Sequence, residues 1–245
     1  MNDYILYFSL TLGFSTLFSM GGIGAAIALV PLFNVAGLPI NLAKAIGLFV
    51  NTSSTITASV MNFRRGVLNV KATLPLIIAI LLATPLGAWL SQHVNEVWVK
   101  WLLVAFLVTS GTLLLFQKRE ARFRFRSPAL LAALGGGVGI VSGLLGVGGG
   151  SLLIPMLILL GYNAKEAGIA VGMVIPFSSF GAFTTYLGFT EMDWRLLGVV
   201  TVAAILGGYF GNRIMHFRLS PAQVKKLIGV VLYLLAAKVA FGLLV

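Results

Sequence analysis

A membrane-type apolar run in this chain is broken by a cluster of glycines, and the same break recurs in the second half. The first copy reads GGIGAAIALVP from Gly21 to Pro31, and the second LGVGGGSLLIP from Leu145 to Pro155. Gly146 lies 124 residues after Gly22, and the same offset places Gly148 on Gly24 and Pro155 on Pro31. With one added residue, Gly47 falls on Gly172 and Ser53-Ser54 on Ser178-Ser179. The chain must therefore fold as two related halves. Interrupted hydrophobic segments at matching places in two halves point to the substrate site of a transporter.

Of the 245 residues 59% are hydrophobic and 9% charged, with a mean hydropathy of +1.03. A soluble domain carries about 25% charged residues, so this composition marks an integral membrane protein. A hydrocarbon layer of about 30 Å takes roughly 20 apolar residues per helix, so the chain holds about eight to ten such segments. Lipid admits only helices or closed barrels, and these runs are continuous rather than alternating, so helices are expected. The net charge of +11 sits in short loops, where it sets orientation. Nucleic acid is excluded as a partner, and the lipid bilayer is implied. With no cysteine there is no disulfide, thiolate metal site or thiol chemistry. The first run follows Asp3 rather than a basic segment and reads as a retained membrane helix.

Apolar runs fall at 4–36, 43–62, 70–91 and 97–116, then at 128–160, 167–187, 195–213 and 224–244. The basic stretch 118–127 divides a first membrane repeat, 1–117, from a second, 128–245. Its five basic residues place it on the cytoplasmic side. Arg64, Arg65 and Lys71 mark a second inside loop, and Arg213, Arg218, Lys225 and Lys226 a third. The loops carrying Glu96 and Glu191/Asp193 are then outside, flanked by Trp89, Trp98, Trp101 and Trp194. On this count 128–160 must return to the side it left. Its 33 or so residues would make one helix of roughly 50 Å, too long for a single span. Two short spans or two half-helices meeting at the glycines are expected, each arm about 24 Å. Each half then has five helical segments. An odd number inverts the second repeat relative to the first and leaves both termini outside, in an all-α inverted-repeat protein.

The candidate site is the pair of breaks. Gly21, Gly22 and Gly24 in one, and Gly146, Gly148, Gly149 and Gly150 in the other, let the backbone break and approach a solute. Ser151 is placed as N-cap of the following helix. The N–H groups and dipole at such a helix start favour an anion. A polar band adds Asn51, Ser53 and Ser54, with Ser178 and Ser179 as their repeat partners. Thr52, Thr55 and Thr57 are expected to bond their own helix. Lys44 and Lys165, and the repeat pair Lys71 and Arg195, are expected at solvated helix ends, with attraction of an anion at a mouth as the alternative. No carboxylate pair, His-Glu-Xaa-Xaa-His pattern or serine with a histidine base appears, so enzyme chemistry, a metal and a cofactor are not expected.

The duplicated Gly-rich segments, the length and the short loops resemble the TauE/SafE-type sulfite exporter family, the TSUP group of permeases, over residues 8 to 243. The most specific part is Gly143 to Pro155, with a weaker copy at Ser19 to Pro31, where Ala25-Ala26 stand in place of Gly149-Gly150. The resemblance implies an inner-membrane permease for sulfur-containing anions, sulfite or organosulfonates among them. An exporter is the leading reading. An anion channel and an uptake permease are the alternatives, and the many apolar faces leave room for a homodimer.

Overall fold

The computed structural model describes residues 2–64, 70–116, 127–162, 164–215 and 221–244. The basic linker expected at 118–127 lies outside the described residues except for Ser127, as do Arg65, His216 and Arg218. The side chains of Thr57, Lys71, Lys165 and Lys225 lie outside them too. Ten helices follow in order: α1 (Asn2–Gly21), α2 (Ala26–Val35), α3 (Ile40–Arg64), α4 (Val70–Leu90) and α5 (Glu96–Phe116), then α6 (Pro128–Leu145), α7 (Gly150–Leu159), α8 (Ala164–Leu187), α9 (Trp194–Met215) and α10 (Pro221–Leu244). Among the described residues there is no strand. Five helices per half match the count read from the apolar runs.

Each half opens with a long helix, a glycine break and a short helix. α1 stops where Gly22 turns left-handed (φ 67°) and the Ile23 N–H reaches back to the Phe18 carbonyl at 3.3 Å. α6 stops in the same way at Gly146 (φ 72°), with the Val147 N–H on the Ser142 carbonyl at 3.1 Å. This is the glycine stop in which the second residue past the helix caps an orphan carbonyl. The arms are not equal: 20 and 10 residues in the first half, 18 and 10 in the second. A second pair of left-handed glycines, Gly37 and Gly161, ends the short arms early. The long arms suffice to cross a bilayer, whereas ten residues cover about 15 Å, half the apolar layer.

The first run does return to the end it left. The Tyr7 hydroxyl of α1 donates to the Ala36 carbonyl just past α2 at 3.0 Å, and its ring meets Phe33 edge-on at 5.4 Å. Two further hydrogen bonds gather other segments at that end of the bundle. Tyr4 Oη donates to Asp193 Oδ2 at 3.3 Å, and Lys44 Nζ to Ser91 Oγ at 2.7 Å.

Among the described residues six helices are long and apolar enough to span a membrane: α1, α5, α6, α8, α9 and α10. Outward faces are apolar, with Leu82 66%, Phe116 73% and Phe241 69% exposed. Such an inventory fits lipid, not water, and the chain is a multi-pass membrane protein. α3 packs on α8 at the centre, α4 on α6, α1 on α9, and α5 on α10. α3 also packs on α9 and α8 on α4, while α2 lies on α3 and α7 on α8. Exchanging the halves, α1 for α6 through α5 for α10, leaves this set of packed pairs unchanged.

Candidate functional site

The two breaks meet beside the middle of α3. A Cβ placed on Gly150 would lie 2.7 Å from the Ile23 carbonyl oxygen, so one interruption touches the other. Asn51, fully buried, sits between them. Its Oδ1 accepts the N–H of Ala26, the first residue of α2, at 3.3 Å, and its Nδ2 donates to Ser179 Oγ on α8 at 2.8 Å. Gly24 (φ 83°) and Gly148 (φ 74°) both press against this amide, and Gly148 also lies against Ser179 Oγ. One side chain from the central helix thus contacts both breaks and bridges to the opposite half.

The short helices start here without side-chain caps; Ala25 and Gly149 hold the cap positions. No acceptor among the described residues takes the N–H of Gly24, Ala25, Gly148 or Gly149, all four buried. The last two lie 124 residues beyond the first two. Buried backbone donors are almost always paired. Consecutive N–H groups at the positive end of a helix form an anion-binding concavity. The two breaks are not identical: Asn51 occupies the Ala26 N–H, whereas Gly150 folds back on the Gly148 carbonyl at 2.6 Å.

The remaining candidates are placed as follows. Gly21 faces Ile228 of α10, while Gly22 has open space where a Cβ would go. Gly146 ends α6, and Gly149 packs on Val138 and Ser142. Ser53, Ser54 and Ser178 each donate to a carbonyl of their own helix, those of Phe49, Asn51 and Ile175. Thr52 and Thr55 do the same, as expected. Ser151 is not the N-cap of α7. Gly149 takes that position because only its left-handed backbone (φ 53°) fits, and the Ser151 hydroxyl instead lies 3.2 Å from Ser110 Oγ on α5. A groove of about 280 Å³ on another face of α1, lined by Leu6, Leu10, Phe14, Leu17 and Val231, is apolar and separate from the junction. Among the described residues no three His, Cys, Asp or Glu side chains gather as a metal site would require.

Lys44 departs from expectation. It is 1% exposed, not solvated. Its stem covers Gly146, its ammonium donates to Ser91 Oγ at 2.7 Å and to the Leu144 carbonyl at 3.1 Å, and it stands 5.4 Å from the centre of the Tyr186 ring. The sequence shows only a lysine four residues into a helix; the partners come from α4, α6 and α8. Arg195, by contrast, opens α9, and its N–H bonds Asp193 Oδ1 at 3.0 Å in an exposed cap.

The family model for the sulfite exporter TauE/SafE matches residues 7–239. The chain belongs to that family. A probable membrane transporter protein of Methanocaldococcus jannaschii is 29% identical over 179 residues, covering 69% of this chain and 67% of its own. A probable membrane transporter protein of Haemophilus influenzae is 20% identical over 225 residues, covering 89% and 87%. No solved structure matches. As a TauE/SafE member the protein is a membrane transporter, and the match spans both breaks and all ten helices.

Proposed function

We propose that this transporter carries small sulfur-containing anions, sulfite or organosulfonates, through the junction of the two breaks by alternating access. The reading rests on one observation: four buried amide N–H groups without acceptors, paired by the repeat, at the starts of α2 and α7. Such donors are costly to leave unpaired and suit an oxyanion. The family's name supports sulfite as a member of the substrate class. Gly24, Gly148 and Gly149 supply the backbone contacts, and Asn51 with Ser179 the neutral side-chain ones. Ser53, Ser54, Ser151 and Ser178 support the surrounding helices.

Export is the proposed direction. An anion leaving a negative-inside cell gains about 2.3 kcal/mol per charge per 100 mV, so no carboxylate relay is needed. The two halves are proposed as inverted repeats in the inner membrane, with the amino terminus outside and the linker 118–127 inside. The five-helix halves and their exchangeable packing support the inversion. The Tyr4–Asp193 hydrogen bond supports the sidedness, because it joins the amino terminus to a loop with no basic residue.

Purified protein in liposomes loaded with sulfite should show saturable counterflow of labelled sulfite or methanesulfonate. Gly148→Ala should reduce the rate to near background while still inserting. Flux that rises linearly with concentration, without counterflow, would make the protein a channel. Absence of anion flux in either direction would overturn the reading.

A further inference from the structure

We propose that Lys44 is the charge partner of the transported anion at the second break, so that the chain binds one anion, at Gly146–Gly150, rather than one at each break. The inference rests on the anion reading above and adds a residue and a stoichiometry to it.

Lys44 is a buried amine in a membrane protein, and among the described residues no carboxylate lies within ion-pair distance of it. The ion pair they contain joins Lys100 to Glu96. Its neighbours are a hydroxyl, a carbonyl and an aromatic face. These dipoles solvate the amine, and the carboxylate that acts on it, Glu96, does so from beyond ion-pair distance while paired with Lys100. An ionisable group enclosed within a membrane protein is by default a candidate functional residue.

A capping role accounts for one bond only. Gly143 O already takes the Gly146 N–H at 3.2 Å, and the single proton of the Tyr186 hydroxyl is shared between Gly143 O at 2.9 Å and Leu144 O at 3.0 Å, so Lys44 serves Leu144 O alone, at 3.1 Å. A packing role needs no charge, because an unbranched apolar chain would also fill the slot over Gly146.

The position suits an anion. The stem lies over Gly146, two residues before Gly148 and three before Gly149, whose N–H groups lack acceptors. Among the described residues the first break has no equivalent. The repeat positions of Lys44 are Gly168 or Ile169, depending on the one-residue shift, and neither is charged. There, Asn51 Oδ1 already accepts the first amide of α2. A neutral acceptor thus serves one break, and a lysine stands beside the other.

Isothermal titration of the purified full chain with methanesulfonate and with sulfite tests this. Wild type should bind one anion per chain. Lys44→Met should fold, with an unliganded Tm no lower than that of wild type, and bind at least about thirty-fold more weakly. Lys44→Arg, which keeps the charge, should bind within about three-fold of wild type, a difference small on the affinity scale. Equal affinity in wild type and Lys44→Met overturns the inference and leaves the anion reading standing. Two anions per wild-type chain overturn it even if Lys44→Met fails to fold. No heat from any anion with wild type overturns the reading and the inference together.

Discussion

Gly22 and Gly24 share one loop and one backbone sign, yet substitution should separate them. Both are left-handed, with φ of 67° and 83°. A Cβ on Gly22 meets nothing within 4 Å, so Gly22→Ala should cost only the left-handed penalty, roughly 1–2 kcal/mol. A Cβ on Gly24 collides with Asn51 Oδ1, the acceptor of the Ala26 N–H. Gly24→Ala should add about 1–3 kcal/mol for the buried amide it strands. Thermal unfolding of the two purified variants reads the difference directly. The sequence presents these as equivalent members of one cluster. It marks the break, because clustered glycines in an apolar run have few other uses, but not which glycine touches a partner. Asn51 was legible as a rare amide in mid-helix. Lys44 was not, because nothing within its own helix distinguishes a snorkelling lysine from one enclosed by three others.

The helix pairs α1–α9 and α4–α6 solve one packing problem with opposite residues. On α6 the contact positions are Gly135, Gly139 and Gly143; the positions 124 residues earlier on α1 are Thr11, Ser15 and Ser19. The partner helices compensate: α9 carries Gly207 where α4 carries Ala83, and Gly208 where α4 carries Thr84. A Cβ on Gly207 would stand 2.7 Å from Ser15 Cβ, and one on Gly139 2.7 Å from Ala83 Cβ. Close approach therefore needs one small partner per pair, on either helix. Gly207→Ala should destabilise by about 1–3 kcal/mol through overpacking. Adding Ser15→Gly, which recreates the Gly139–Ala83 pairing, should recover part of that loss, measured as a double-mutant cycle. Gly136→Ala, with open space around it, should instead be neutral or stabilise by up to about 1 kcal/mol. Ten segments were legible because two of the eight apolar runs are too long for one span and must return to the side they left. The unequal arms were not, because Gly37 and Gly161 sit among loop-forming residues and read as part of the turn rather than as the stop that shortens α2 and α7.

At the scale of the whole molecule, the junction is closed. Gly24, Gly148 and Gly150 have no room for a methyl group, and Ser179 and Asn51 are fully buried. On the proposed reading a solute enters only if the contact between the halves at Asn51–Ser179 opens. The main packed pairs, α4–α6, α1–α9, α3–α8 and α5–α10, all cross between the halves, so that opening requires these interleaved helices to shift against one another. The native chain has no cysteine, so Ser179→Cys introduces a single thiol at the contact on an otherwise unreactive background. Its reaction with a membrane-impermeant thiol reagent should be slow at rest. With substrate anion on one face of sealed vesicles the rate should change several-fold, since ligand shifts the balance of open and closed states only as far as it binds them differently. A control thiol at Trp98, 68% exposed at the start of α5, should label at a rate independent of the anion. If labelling at position 179 is fast at rest and indifferent to anion, the junction is a standing opening, and conduction rather than alternating access describes the protein.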